Sequence, residues 1–563
     1  MHELIIKAGT LVDGTGSPAR VCDLAIDDGI VTEIGRGLGP ARRIVNADGS
    51  LVTPGFVDVH THYDGQATWD PYLTPSSWHG VTTAIFGNCG VGFAPVKPQQ
   101  SPYLINLMEG VEDIPGTVLA EGVSFNWESF PQFLDVLDAA PKIMDIGAQV
   151  PHAPLRFYVM GERGADHMAV PSDDEINTMG RLLEEALVAG ALGFTTSRTT
   201  KHLTRDGRNT PSLSAGEAEL RGLALAMKRA GRGILEVNSD FGPGEFEILR
   251  MAAELSGRPV SLLLLQVNHA PDLWRQTRRQ LHQARAAGVD MNAQVGCRPI
   301  VVMMGLETTI NPFSTHPAWT AMSGLSASQR FERLQNDAGL RTALVTRMPD
   351  DEHTRRVRDW MSRTYIVEDG FDYEPPSDHS IGALAAAAGR DVWEIALEAM
   401  MSNSGKRLLA HTFENYSEGN LEVIREMLLD DASIMGLGDG GAHVCTVCDE
   451  GAPTYLLSHW ARDRKRGERL PIEFLVKKHT FDSAVGYGLT DRGILAPGYR
   501  ADVNVIDFNR LGLREAEVVY DLPSGGKRLL QRARGYLHTF VAGTEVVSND
   551  EHTGAMPGRL IRQ

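Results

Sequence analysis

The stretch "SDDEINTMGRLLEEALVAG", Ser172 to Gly190, runs straight into "ALGFTTSR", Ala191 to Arg198. Ser172 followed three residues later by Glu175 is a capping box, and it opens an amphipathic helix that a glycine at 190 can close. The apolar, β-branched run after it reads as a buried strand over 191–196. The unit recurs. "SAGEAELRGLALAMKRAG" places Ser214, Glu217 and Gly231 in the same positions before a strand at 233–238, and "QTRRQLHQARAAG" ends at Gly288 before one at 289–295. Further apolar strands are expected at 55–60, 81–87, 144–150, 259–267 and 433–438. Eight strands alternating with helices predict an α/β fold, a (β/α)₈ TIM barrel, with a doubly wound sheet as the alternative.

Outside this rhythm the pattern changes. Residues 1–53 alternate apolar and polar around glycine turns, as in "ELIIKAGTLVDG" and "DLAIDDGIVTEIG", and the C-terminal part returns to that pattern in "ADVNVIDF" and "LHTFVAGTEVV". Both ends therefore read as strands and hairpins. Residues 301–431, between the seventh and eighth strands, are too many for a connection and contain helices of their own.

Composition narrows the partners. With 72 acidic against 54 basic residues the net charge is −18, which disfavours nucleic acid and anionic membranes. The longest apolar run, "VSLLLLQV", is too short to span a bilayer. The N-terminus lacks the basic and long apolar regions of a signal peptide, so a cytoplasmic location is expected. Five cysteines in 563 residues do not suggest a disulfide framework, and "CTVC", Cys445 to Cys448, has no second pair beside it.

In a barrel, chemistry collects at the C-terminal ends of the strands. The first strand ends in "PGFVDVHTHYDG", where His60 and His62, two apart, share a face. The second ends in "GNCG" with Cys89, the third at His152, the fourth in "TTSRTTKH" with Arg198 and His202. The fifth ends in "EVNSD", the sixth in "QVNH" with His269, the seventh in "GCRP" with Arg298, and the eighth in "GLGDGGAH" with Asp439 and His443. Histidine pairs, a cysteine and a carboxylate at strand ends suit a metal site better than isolated structural roles.

"PGFVDVHTHYDG", "GVTTAIFGNCGVGFAPV", "GLGDGGAH" and "DRGILAPGYRADVNVID" together resemble the amidohydrolase superfamily, and the second stretch resembles its branch of D-aminoacylases, the N-acyl-D-amino-acid deacylases. The resemblance covers nearly the whole chain. It implies a metal-dependent barrel over 54–494, usually with zinc, one or two ions. It also implies a small β-sandwich from 1–53 and 495–563, and an insertion within 301–431 that serves as a lid or an oligomer contact. By the same resemblance His60, His62, Cys89 and Asp439 are metal ligands, with His269 a further candidate. Where the family has a strand-five histidine this chain has Asn238, so that ligand is missing unless Glu236 or Asp240 supplies an oxygen.

The implied activity is hydrolysis of the C–N amide bond of an N-acyl-(D-)amino acid or related small molecule. Asp439 is then the general base and acid, with His443 as second candidate. Arg198 and Arg298 are the candidates for holding a substrate carboxylate, ahead of Lys201, and His152 and Tyr63 are further substrate contacts. Hydrolysis of a lactone, cyclic amide or carbamate on the same barrel, or a scaffold with a degraded site, are the alternatives.

Overall fold

The computed structural model describes residues 1–368 and 370–563. Each of the eight expected strands overlaps an observed one. Phe56–Asp58, Val81–Phe86 and Asp145–Ala148 form a three-stranded parallel sheet. Val150–Pro151, Gly193–Arg198, Ile234–Ser239, Val260–Leu263, Met291–Val295 and Ser433–Met435 form a six-stranded parallel sheet in that spatial order. Asp145–Ala148 and Val150–Pro151 are consecutive in the chain and interrupted only at Gln149. Leu192 N–H donates to Ala148 O at 2.9 Å. At the other margin Asp439 N–H donates to His60 O at 2.9 Å, and His62 N–H to Gly440 O at 2.7 Å. The strand-end segments that carry His60, His62 and Asp439 are thus tied directly to one another.

The helix after Ser172 spans Asp173–Val188. Ser172 and Glu175 exchange their bonds, and Gly190 has φ +113°, in the region where a side chain is strained. The expected second capping box does not form. Gly216 caps helix Glu217–Ala230, and the Ser214 hydroxyl pairs with His167 Nδ1 at 2.9 Å instead. A serine three residues before a glutamate caps only where its own backbone stands at the N-cap position.

The two chain ends share one nine-stranded sheet. Leu51–Pro54 pairs antiparallel with Val503–Ile506 and parallel with the end of His2–Leu11. Leu4, Ile6, Leu24, Val52, Val505 and Phe540 are among the residues of its core. Residues 301–431 carry a core of their own around Phe313, Trp319, Leu334, Trp393 and Met400. Ile300–Met304 and Leu409–Glu414 pair antiparallel at its base. Alternation along the first of these strands divides its work: Val301 and Met303 join the main core, while Ile300 and Val302 face a cavity. Among the described residues no helix is long and apolar enough to cross a membrane.

Candidate active site

Backbone geometry places the polar groups first. Cys89, Asp439 and His443 all have left-handed φ, +53°, +47° and +46°. Non-glycine residues rarely adopt this conformation, and where they do the surrounding structure must enforce it. Around Cys89 the enforcement is visible. Asn88 Nδ2 donates to Thr61 O and Ile85 O, both at 3.0 Å, and its Oδ1 accepts from Gln149. A Cβ on Gly87 would stand 2.3 Å from Gln149 O. Near Asp439, a Cβ on Gly438 would stand 1.8 Å from Asp58 Oδ2. The glycines flanking both polar residues are therefore required by packing.

The side chains converge. Ligand atoms of His60, His62 and Cys89, all buried, lie within 4.8 Å of one another. Cys89 Sγ is 3.5 Å from His60 Nε2. Asp439 Oδ1 stands 3.6 Å from His60 Nε2 and 3.7 Å from His62 Nε2. Behind this cluster is a second layer. Gln294 Oε1 contacts His60 Nδ1 at 2.7 Å, which leaves Nε2 of that ring for the cluster. Glu112, at the end of helix Ser101–Glu112, faces His62 Nδ1 at 3.2 Å and His443 Nε2 at 3.8 Å. Glu236 accepts the Cys89 N–H at 3.1 Å.

Charge follows from burial and these neighbours. Burial opposes ionisation of Asp439, but His62 and His60 outweigh it and hold the carboxyl down at about 2. Burial lowers His60 to about 4. It also acts to lower His62, yet Glu112 and Asp439 raise that imidazole well above its usual value. Burial pushes the Cys89 thiol up to about 12 and the Glu236 carboxyl up to about 8. His202, bonded to Ser197 Oγ at 2.9 Å, is held neutral by burial at about 3.

A cavity of about 320 Å³ opens above the cluster. His60, His62, Cys89, Asp439, Asn238 and Glu112 lie on its wall together with His202, His443 and Lys201. The rest of the wall is mostly apolar and includes Leu263, Leu265, Ile300, Val302 and Phe413.

A sequence profile described as "Amidohydrolase family" matches residues 43–547, nine-tenths of the chain. The chain belongs to the amidohydrolase family. Within it the similarity runs to the D-aminoacylase branch. An N-acyl-D-glutamate deacylase of Alcaligenes xylosoxydans xylosoxydans is 26% identical over 575 residues, covering all of this chain and 96% of that protein. A D-aminoacylase of the same organism is 34% identical over 195 residues, 34% of this chain and 37% of that protein. The solved structure of N-acyl-D-glutamate deacylase from Bordetella bronchiseptica, with zinc and a phosphonate inhibitor, superposes with a TM-score of 0.66 at 23% identity over the full length of both chains. That likeness is one of fold.

In this amidohydrolase the remaining sequence candidates lie elsewhere. His269 is exposed and lines a separate small pocket with Lys201 and Asp240. Asp240 is engaged by the hydroxyls of Thr199 and Thr200, and Glu236 sits behind Cys89. Arg198 pairs with Glu245, and Arg298 is buried against Asp449 at 3.0 Å and over the Tyr373 ring. His152 bridges Thr196 and Glu219, and Tyr63 donates to Ser76 at 2.7 Å. None of Arg198, Arg298, His152 and Tyr63 lines the cavity. Cys445 and Cys448 are both buried free thiols, and Cys445 Sγ contacts Lys527 O.

Glu112, Gln294 and Glu414, which lines the cavity and accepts from Lys201, were not singled out from sequence. Gln294 leaves a trace there, as an amide in the middle of the buried strand "MNAQV". Glu112 and Glu414 leave none, because each reaches the site from outside the parallel strands.

Proposed function

We propose that this amidohydrolase hydrolyses the amide bond of a small N-acyl compound at a zinc ion held by His60, His62, Cys89 and Asp439. The donor set supports that reading: two imidazoles, a sulfur and a carboxylate at the floor of a cavity, a combination that zinc accepts. One ion per chain fits better than two, since Asn238 and Leu263 occupy the wall where strands five and six end, and neither is a zinc ligand. A bound zinc ion supplies Lewis acidity to the scissile carbonyl and makes water acidic enough to ionise near neutral pH.

The chain's own groups do the rest. Asp439, ionised and adjacent to both imidazoles, takes the proton from the attacking water and delivers it to the leaving nitrogen. His443 is the second candidate for that transfer, with Glu112 orienting it. Neutral His202 can donate one hydrogen bond to the substrate carbonyl. The parallel strands and the bonds at Ala148–Leu192 and His60–Asp439 support a closed eight-stranded (β/α)₈ barrel over 54–494. The shared sheet supports a small β-sandwich domain from 1–53 and 495–563.

Metal analysis of the purified chain, paired with an assay on simple N-acyl amines and N-acyl amino acids, tests the reading. Zinc at one equivalent and metal-dependent amide cleavage are expected. Two tightly held equivalents would contradict the site, and full activity without metal would overturn the mechanism.

A further inference from the structure

The cavity wall says more about the substrate than the ligand cluster does. Its apolar side is built from two sources. Val111, Leu263 and Leu265 come from around the parallel strands, and Ile300, Val302 and Phe413 from the base of the inserted segment. Apolar wall of this kind stabilises hydrocarbon and nothing polar.

Its charges leave no cation over. A divalent ion at the cluster is balanced by the Cys89 thiolate and the Asp439 carboxylate. Beyond the ligands, Glu112, Glu414 and Lys201 lie on the wall, with His443 facing Glu112. Lys201 Nζ donates to the Glu414 carboxylate, which is 5% exposed, and Lys201 also acts on Asp240. The two arginines nearest the strand ends are committed to Glu245 and Asp449. A carboxylate entering here would leave water, meet Glu112 and Glu414, and find among the described residues no unmatched cation on the wall.

We infer that the substrate is an uncharged amide with a hydrocarbon acyl chain and no free carboxylate, the acyl chain lying along Ile300, Val302 and Phe413. This rests on the amide-hydrolase reading above.

The test uses the zinc-reconstituted full chain and six compounds: N-octanoyl- and N-acetyl-3-methylbutylamine, and N-octanoyl- and N-acetyl-leucine in both enantiomers. Release of the free acid is followed by mass spectrometry. The expected kcat/KM for the octanoyl amine exceeds that for either octanoyl-leucine enantiomer and that for the acetyl amine by roughly 10-fold or more, the range that hydrophobic and charge discrimination reaches. Preference for the leucine compounds, or for acetyl over octanoyl, would overturn the inference while leaving amide hydrolysis standing. Cleavage of none of the six would bring down both. Glu414→Gln frees Lys201 and should narrow the amine-over-acid preference about 5-fold or more at unchanged zinc content, in line with loss of one repulsive group. Lys201→Met should widen it. Ratios unmoved by both substitutions would refute the charge argument.

Discussion

The floor and the roof of the cavity are built on opposite principles. Floor groups are polar, buried and each held by a second contact: Gln294 behind His60, Glu112 behind His62, Glu236 behind Cys89. The roof is mostly apolar, is built by Ile300 and Val302 of one strand and by Phe413 beside the Lys201-paired Glu414 of the other, and belongs to a segment with its own core. A floor residue is fixed by several neighbours at once. A roof residue mainly fills space. The difference teaches where chemistry and where selectivity should respond to substitution.

The strongest way to break this division is Asp439→Asn, which keeps shape and removes the basic group. Turnover per bound metal should fall about 10²–10⁴-fold, measured with metal content determined on the same sample. A fully metallated variant with near wild-type turnover would move the proton transfer to His443.

Acidity is the next lever. In the metal-free protein Cys89 and His62 both carry protons at neutral pH, because burial raises the thiol and Glu112 and Asp439 raise the imidazole. Asp439 and His60 have already lost theirs. Metal must displace the two retained protons, so affinity falls as pH falls, by up to roughly 100-fold per pH unit for two protons. Zinc competition titrations between pH 6 and 8 (roughly the range where the protein stays folded), with proton release followed by calorimetry in buffers of different ionisation heat, would check it. A slope of only about 10-fold per pH unit, the displacement of one proton, would mean that the thiol is not a ligand, and a slope near zero would remove His62 as well.

Glu112→Gln probes the layer behind the floor. It should weaken metal affinity or activity by about 10–100-fold, the usual scale for a partner of a ligating histidine, with secondary structure unchanged by circular dichroism. Phe413→Ala probes the roof and should do less. KM for long-acyl substrates should rise about 10-fold, as expected for losing part of a phenylalanine's apolar area, while kcat and zinc content stay put. Loss of zinc in Phe413→Ala would erase the distinction between floor and roof.

How far the sequence carried this picture depends on the same contrast. Strand periodicity put His60 and His62 on one face, the family resemblance pointed to Cys89 and Asp439, and the structure brings the four side chains together. Arg198 and Arg298 could be placed at strand ends but not aimed. A long guanidinium turns toward whichever carboxylate tertiary packing offers, here Glu245 and Asp449. Glu112 was invisible, and the segment over the cavity was expected only as a lid or oligomer contact without its wall residues, since helix Ser101–Glu112 and the sheet at 300–304 and 409–414 meet the site only through long-range folding. The sixth strand was expected to 267 and ends at Leu263, after which Gln266 N–H bonds to Asn415 Oδ1, so that His269 is carried out to the surface.

The pairing of Leu51–Pro54 with Val503–Ile506 also bears on how the chain is made. On the ribosome the first segment emerges some 450 residues before its partner. At roughly 5–20 residues per second, that is a wait of about 20–90 s. Throughout it, one flank of the N-terminal sheet has exposed amides and carbonyls and can recruit the wrong neighbour. Slower translation lengthens that window, and a nascent-chain chaperone that covers residues 51–54 would raise the yield of folded protein.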